Sequence, residues 1–332
     1  MKKALLIGGG LLSIVLLILP LLWCCGLWYY QPVSLLPTLL FLAAVVLWWR
    51  KKGRVSLHLI LWLMVVVNII TYQCIPGPTP ERWQKPWALA PVFEQQGDQL
   101  TIHNLRDFHY RTEKDNDARY RTETYDLSTL CGVDFASCHW DGMTAICHTM
   151  LSFNFTDGRR VVVSAETRLP EGVEQGAIPG LYKKYGIIYL FGTEEDIFGL
   201  RTNIRHEDLY IFPLEINQEG ARKLLQHYID LARHAEATHQ DYNTISDNCS
   251  TGIVSGFRVL VPTMPRKYDF LPLHNGSIAD LLIEYGAVQT RPGETPEQIR
   301  TRCYAGYDLP MNDYSAALRR KISSTSEAYL AH

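Results

Sequence analysis

The residues best suited to chemistry lie in YNTISDNCSTGIVSGF, 242–257. Polar turn formers surround one cysteine, Cys249, and an apolar run follows it at once. Asp247 or Asn248 can cap a helix there, because both side chains accept hydrogen bonds from the free amides of a first turn. Cys249 would then sit at the positive end of the helix dipole, which lowers a thiol pKa and favours the nucleophilic thiolate. Amides of the same turn, from Asp247 through Asn248 to Ser250, could hold an oxyanion. The alternative is a disulfide with Cys303 or Cys74, or a buried inert thiol.

A nucleophile needs a base, and among eleven histidines His148 has a special setting. It lies in ICHTMLSFNFTDGRRVVVSAETR, two strand-like runs around Thr156-Asp157-Gly158, a hairpin signal. A three-residue loop with Gly158 left-handed pairs Phe155 with Arg159. Counting back, His148 then pairs with Glu166 on the same face, with Cβ atoms roughly 5 Å apart. A carboxylate there fixes the imidazole tautomer and stabilises its cation. A two-residue loop would shift the register by one and break the pairing; His148 would then be an ordinary strand residue. Cysteine, histidine and an orienting acid are the parts of thiol-based acyl transfer. No His/Cys cluster has zinc spacing, the CHW pair at 138–140 being weak, and no cofactor is expected.

The elements that must position these groups are of mixed type. QLTIHNL, YRTETYDL, ICHTMLSFNF, RRVVVSAETR, YGIIYLF and EDLYIFPLEI alternate like strands. A helix is expected over 218–239, where Ala221, Leu224, Leu225, Tyr228, Ile229, Leu231 and Ala232 form one stripe and Asn217 is the cap. A second follows Asn248, and a short one lies near SIADLLIEYGA. The fold class is α+β. Arg106, Arg111, Arg119 and Arg121 read as internal salt links of a strand pair rather than a phosphate site, and Arg201 and Arg205 as partners for the acids of 194–210.

The first 75 residues read as membrane. Apolar runs cover Ala4 to about Trp23, Val33 to Trp49 and Val55 to about Tyr72, each near the ~17–20 residues a spanning helix needs. Lysines precede the first run and RKKGR (50–54) separates the second from the third. Positive-inside then places the N-terminus and the 50–54 loop in the cytoplasm of a bacterial inner membrane, and everything after about Cys74 in the periplasm. No small-residue cleavage pattern follows the first run, so the helices are expected to be retained. Net charge is −2, with no basic face for nucleic acid. Six of the eight cysteines lie outside the runs, where an oxidising compartment favours pairing, Cys131, Cys138 and Cys147 being close in sequence. The expected organisation is 1–74 transmembrane, 75–98 a Pro- and Trp-rich linker, 99–262 the catalytic domain, and 263–332 an extension.

LTIHNLRDFHYRTEKDNDARY, CHTMLSFNFTDGRRVVVSAETR, LYKKYGIIYLFGTEEDIFGLRTNIRHEDLYIFPL and YNTISDNCSTGI together resemble the DUF4105 domain, the periplasmic domain of Lnb-type lipoprotein N-acyltransferases. FLPLHNGSIADLLIEYGA resembles that family's C-terminal extension. The family is similar to the papain-like NlpC/P60 superfamily in permuted order, histidine strand before cysteine helix. The resemblance implies a nucleophile at Cys249, its base at His148 and the acid of an S-x-E-x-R pattern at Glu166. Ser250 stands where the family usually has threonine, and the three helices precede the domain, where many members have helices after it.

The expected function is a membrane-embedded thiol acyltransferase with a membrane phospholipid as acyl donor and a lipoprotein as acceptor. Tyr242, Trp140 and Arg168 are candidate substrate-binding residues, with Trp83 and Trp87 as further walls of a groove opening to the bilayer. Two alternatives remain: a cysteine peptidase or amidase acting on cell-wall peptide, and a non-catalytic binding module with Cys249 in a disulfide.

Overall fold

The computed structural model describes the backbone of residues 2–52 and 56–329, and the side chains of residues 16–51 and 56–322. Three helices lead the chain: α1 (Lys2–Tyr30), α2 (Leu35–Lys52) and α3 (Leu57–Cys74). Among the described residues two helices are long and apolar enough to cross a membrane, Pro32–Lys51 and Leu57–Cys74, rather than the three expected. Most of the first expected run lies in residues 1–15, outside the described side chains, and the described part, Leu16–Tyr30, is a shorter apolar helix. Part of the basic 50–54 loop is also outside the described residues. Pro37 falls in the first turn of α2, where the missing amide costs no helical hydrogen bond. Leu39, Leu40, Val46, Leu47, Ile69 and Ile70 are exposed, as on helices that face lipid rather than a protein core.

Polar contacts tie the three helices together. Trp28 Nε1 donates to Asn68 Oδ1 at 2.8 Å and lies 3.3 Å from Thr38 Oγ1, which donates to Asn68 Oδ1 at 3.2 Å. Asn68 is fully buried, and in an apolar setting such side-chain bonds hold helices in register.

After a Pro-rich stretch come β1 (Val92–Gln96), β2 (Gln99–Arg106), the small β3 (His109–Tyr110) and β4 (Asn116–Asp117) pair, β5 (Tyr120–Asp126), β6 (Leu130–His139), β7 (His148–Phe155), β8 (Arg160–Arg168) and β9 (Gly186–Gly192). Next are α4 (Glu194–Gly199), a π-helical turn over Leu200–Ile204, β10 (Asp208–Pro213), α5 (Gln218–Thr238) and α6 (Cys249–Leu260). The chain ends with α7 (Ile278–Glu284), α8 (Pro296–Cys303) and α9 (Tyr314–Tyr329). One eight-stranded sheet runs β1-β2-β9-β8-β7-β6-β10, with β5 on β2; its β2–β9 contact is parallel and the rest antiparallel. The class is therefore α+β with a mixed sheet. Residues 92–96, expected as linker, are instead its edge strand.

Strand alternation sends side chains to two cores. Leu151, Phe153, Val161 and Val163 pack with Leu224, Tyr228 and Ile253 of α5 and α6. Met150, Val162, Leu209 and Ile211 pack with Phe198 of α4 and Tyr314 and Leu318 of α9. Within the arginine tract, Arg111 pairs with Asp115 and Asp117, and Arg121 with Asp107. Arg106 is buried against Asp196, which accepts from its Nε at 2.8 Å, its Nη2 at 2.7 Å and the Phe108 amide at 2.8 Å.

No disulfide forms: all eight cysteines are free thiols. Cys131 and Cys138 lie on one strand, too far apart to bridge at ~3.3 Å per residue. Cys138 donates instead to Glu207 Oε2 at 2.9 Å, and Cys147 lies against the Asn275 carbonyl.

Asp196→Ala strands a buried guanidinium and is expected to lower unfolding free energy by about 3–5 kcal/mol, read by chemical denaturation of the detergent-solubilised chain.

Candidate active site

The hairpin between β7 and β8 sets the site. Gly158 adopts φ +85°, and the Phe155 amide donates to the Arg159 carbonyl at 3.1 Å, so the loop has three residues. The ladder runs from Asn154–Arg160 to Met150–Ser164 and then stops. Two residues further on in the same register, His148 stands opposite Glu166. His148 Nε2 lies 3.2 Å from Glu166 Oε1 and 2.7 Å from Ser164 Oγ, which itself donates to Glu166 Oε1 at 2.7 Å. The Cys249 thiol is the imidazole's other neighbour, coupled to it by charge and by a side-chain hydrogen bond.

Cys249 is the first residue of α6. Asn248, not Asp247, is the cap: its Oδ1 accepts from the Ser250 amide at 2.9 Å and the Thr251 amide at 3.1 Å. Thr251 Oγ1 accepts from the Asn248 amide at 2.9 Å, completing a capping box. Asp247 accepts from Gln240 Nε2 and Ser246 Oγ. Among the described hydrogen bonds the Cys249 amide has no acceptor, so it remains a donor beside its own thiol, where an oxyanion would form. Ser250 is fully buried behind the thiol, its Oγ held by Asn275 Nδ2 at 2.5 Å and Thr149 Oγ1 at 3.3 Å.

Electrostatics makes the pair ionic. Burial pushes the Cys249 thiol up, but the His148 imidazolium and its hydrogen bond outweigh this and bring it down to about 6. Burial likewise disfavours the His148 cation, yet the Glu166 carboxylate lifts it to about 9, Arg201 opposing and the thiolate adding to the rise. Burial would raise the Glu166 carboxyl; His148 and Arg201 hold it well below the usual range. Between these values the site rests as thiolate and imidazolium.

The thiol lies in a cleft of about 440 Å³. Tyr242 and Trp140 line it, as do Cys147 and Asn275. Ile146, Ile245 and Leu273 line it too and are about half exposed, at 48%, 53% and 55%. Arg168 does not: its guanidinium is buried, donating to Glu236 and to the Trp87 and Ala88 carbonyls under the Trp83 ring. Trp83 and Trp87 therefore belong to a structural clasp, not to the cleft.

One side of the cleft, built from the 175–182 loop and the 242–245 segment that hydrogen-bonds to it, is fastened to the apolar helices. In the loop Tyr182 stacks on Tyr30, with centroids 5.1 Å apart, and on Trp23. It seats over Gly26, where no Cβ would fit. Gln31 Nε2 donates to the Tyr182 carbonyl at 2.7 Å, and Lys183 Nζ to the Ile75 carbonyl at 2.8 Å. In the adjoining segment Asn243 Nδ2 donates to Tyr72 Oη at 3.0 Å, and Asn243 Oδ1 accepts from the Ile245 and Ser246 amides just before the cap.

Three contributors escape the sequence reading. Ser164 was legible in principle, two residues before Glu166 and so on the same strand face. Asn275 arrives from 128 residues away, its amide accepting from the Cys147 amide at 2.8 Å and donating to the Cys147 carbonyl at 2.7 Å. Arg201, expected to serve acids of its own stretch, stands 3.9 Å from Glu207 but donates to Glu166 Oε1 at 2.9 Å.

A β-sheet carrying the histidine and acid, with the cysteine at the start of a following helix, defines a thiol site of α+β type. Residues 116–277 match the family described as the Lnb N-terminal periplasmic domain, which supports an Lnb-type family and a periplasmic setting for this part of the chain. No curated protein and no solved structure matches.

Alkylation of Cys249 by iodoacetamide, followed on its peptide by mass spectrometry, is expected to rise with an apparent pKa of about 6. His148→Ala removes the cation but not the burial, so the same titration should move above the ordinary thiol value.

Proposed function

We propose that the chain is a membrane-anchored periplasmic cysteine acyltransferase that N-acylates bacterial lipoproteins from a membrane lipid. The observation that carries this reading is the thiolate–imidazolium pair in a cleft rimmed by exposed Ile146, Ile245 and Leu273 and fastened to the ends of apolar helices. The histidine strand preceding the cysteine helix fits a permuted NlpC/P60-like, papain-like relationship. By the positive-inside rule, Lys2, Lys3 and the 50–54 loop favour the cytoplasm, and the end of α3 the periplasm.

The thiolate attacks an ester carbonyl of the lipid, and the Cys249 amide donates to the developing oxyanion. The carbon–oxygen bond breaks, His148 gives its proton to the leaving alcohol, and a thioester remains. A lipoprotein N-terminal amine then attacks that thioester. The carbon–sulfur bond breaks, the thiolate returns, and the amine's proton passes to His148. Ser164 and Glu166 keep the imidazole oriented through both steps. Confinement of donor and acceptor to the bilayer raises their concentration at the cleft.

Intact mass spectrometry of the chain purified from membranes is expected to show an acyl adduct, cleaved by hydroxylamine and absent in Cys249→Ala. His148→Ala should slow its formation by about 10²–10⁴-fold. A chain that never acylates but cleaves cell-wall peptide would instead be the thiol amidase. A chain whose Cys249→Ala variant retains every activity would be a binding module.

A further inference from the structure

We propose that Arg201 is a positioning residue of the thiol site, its guanidinium sharing one oxygen of the Glu166 carboxylate with the His148 imidazole. The inference rests on the reading of Cys249 and His148 as nucleophile and base, but not on which acyl group they carry. Arg201 is 5% exposed and donates from Nη2 to Glu166 Oε1 at 2.9 Å. That same oxygen receives Ser164 and faces His148 Nε2. That oxygen thus takes two hydrogen bonds and an ion pair, so guanidinium and imidazole share one negative charge.

The arginine reaches this point because of its backbone. It lies in the π-helical turn Leu200–Ile204 that continues α4, and such turns gather at functional sites because they re-aim side chains. Its Nε lies 3.4 Å from Met150 Sδ, between strand and helix layers. An arginine serving only its own stretch would favour Glu207, yet that acid is the more distant, at 3.9 Å.

Charge gives the role a readout. Around His148 stand Glu166 from β8, Arg201 from the π turn and Cys249 from α6. Around Arg201 stand Glu166, Cys138, Glu207 and Arg106. Glu166 lifts the imidazolium and Arg201 restrains that lift. Removing the guanidinium charge leaves the carboxylate to act unopposed, so His148 should lose its proton at higher pH.

The full chain in detergent micelles tests this without any acyl substrate. Iodoacetate is an anion attracted by the imidazolium, whereas iodoacetamide is neutral. The ratio of their alkylation rates at the Cys249 peptide therefore falls as His148 deprotonates, with a midpoint near 9 in the wild type. Arg201→Met is expected to move that midpoint up by about one pH unit. Arg201→Lys, which keeps the charge, should leave it in place. If Arg201→Met does not fold, Arg201→Gln retains a donor without the charge and should show the same rise. A midpoint unchanged in the neutral variants, whatever their rates, would reduce Arg201 to a packing role and overturn the proposal. So would a lysine variant that shifts as far as the neutral ones. Because alkylation needs no acyl donor, failure to form an acyl-enzyme would count against the proposed function and leave this result standing.

Discussion

Gly158 at φ +85° closes a three-residue loop, and the register it imposes decides whether this protein has a site. Side chains alternate along a strand, so a one-residue slip would send every β8 group to the other face. Glu166 would then leave His148, and Ser164 would leave both. The four-residue run Val161–Ser164, paired with Met150–Phe153, guards against that slip, because its alternate members fill different cores. The geometry of the His148–Glu166 pair is thus specified by hydrophobic packing several residues away.

The site straddles the two layers. His148, Ser164 and Glu166 share parity with Met150 and Val162, whose side chains belong to the α4 and α9 side. The helix bearing Cys249 packs on the opposite side, with Ile253 in the other core. Thiol and imidazole meet just beyond the point where the β7–β8 ladder ends at Met150–Ser164. Asn275 braces that junction from the extension, bonding the Cys147 backbone on one side and Ser250 on the other. The strand carrying His148 and the helix carrying Cys249 are thereby joined by one amide.

Local signals carried much of this. Asn248 and Asn217 as caps, the hairpin loop and most strands follow from short-range chemistry. Strand β6 did not, since LCGVDFASCH has no clean alternation: it lies inside the sheet, and Val133 through Cys138 are buried without a break. Helices α8 and α9 were missed because their sequences are short on apolar residues; α9 is held in part by Arg319, which pairs with the buried Asp134 and Glu194. The membrane boundary was legible in composition, though the described residues support two spanning-length helices where three apolar runs were read. Arg168 misled for a physical reason. Expected as a substrate-binding candidate, it is instead occupied by three backbone and side-chain acceptors beneath Trp83. Long-range partners such as Asn275 and Arg201 leave no trace in sequence spacing.

The seating of Tyr182 over Gly26 has a mechanical consequence. Its loop contributes Gln175, Gly176 and Ala177 to the cleft, and Tyr72 at the end of α3 holds Asn243 in the segment that pairs with that loop. In the proposed bilayer setting, a helix whose apolar length mismatches the hydrocarbon thickness tilts to compensate. The two segments are themselves joined, Thr244 donating from Oγ1 to the Ala177 carbonyl at 2.8 Å and from its amide to the Gly180 carbonyl at 3.3 Å, so such tilt would carry this side of the cleft as one piece, like a jaw moved by its handle.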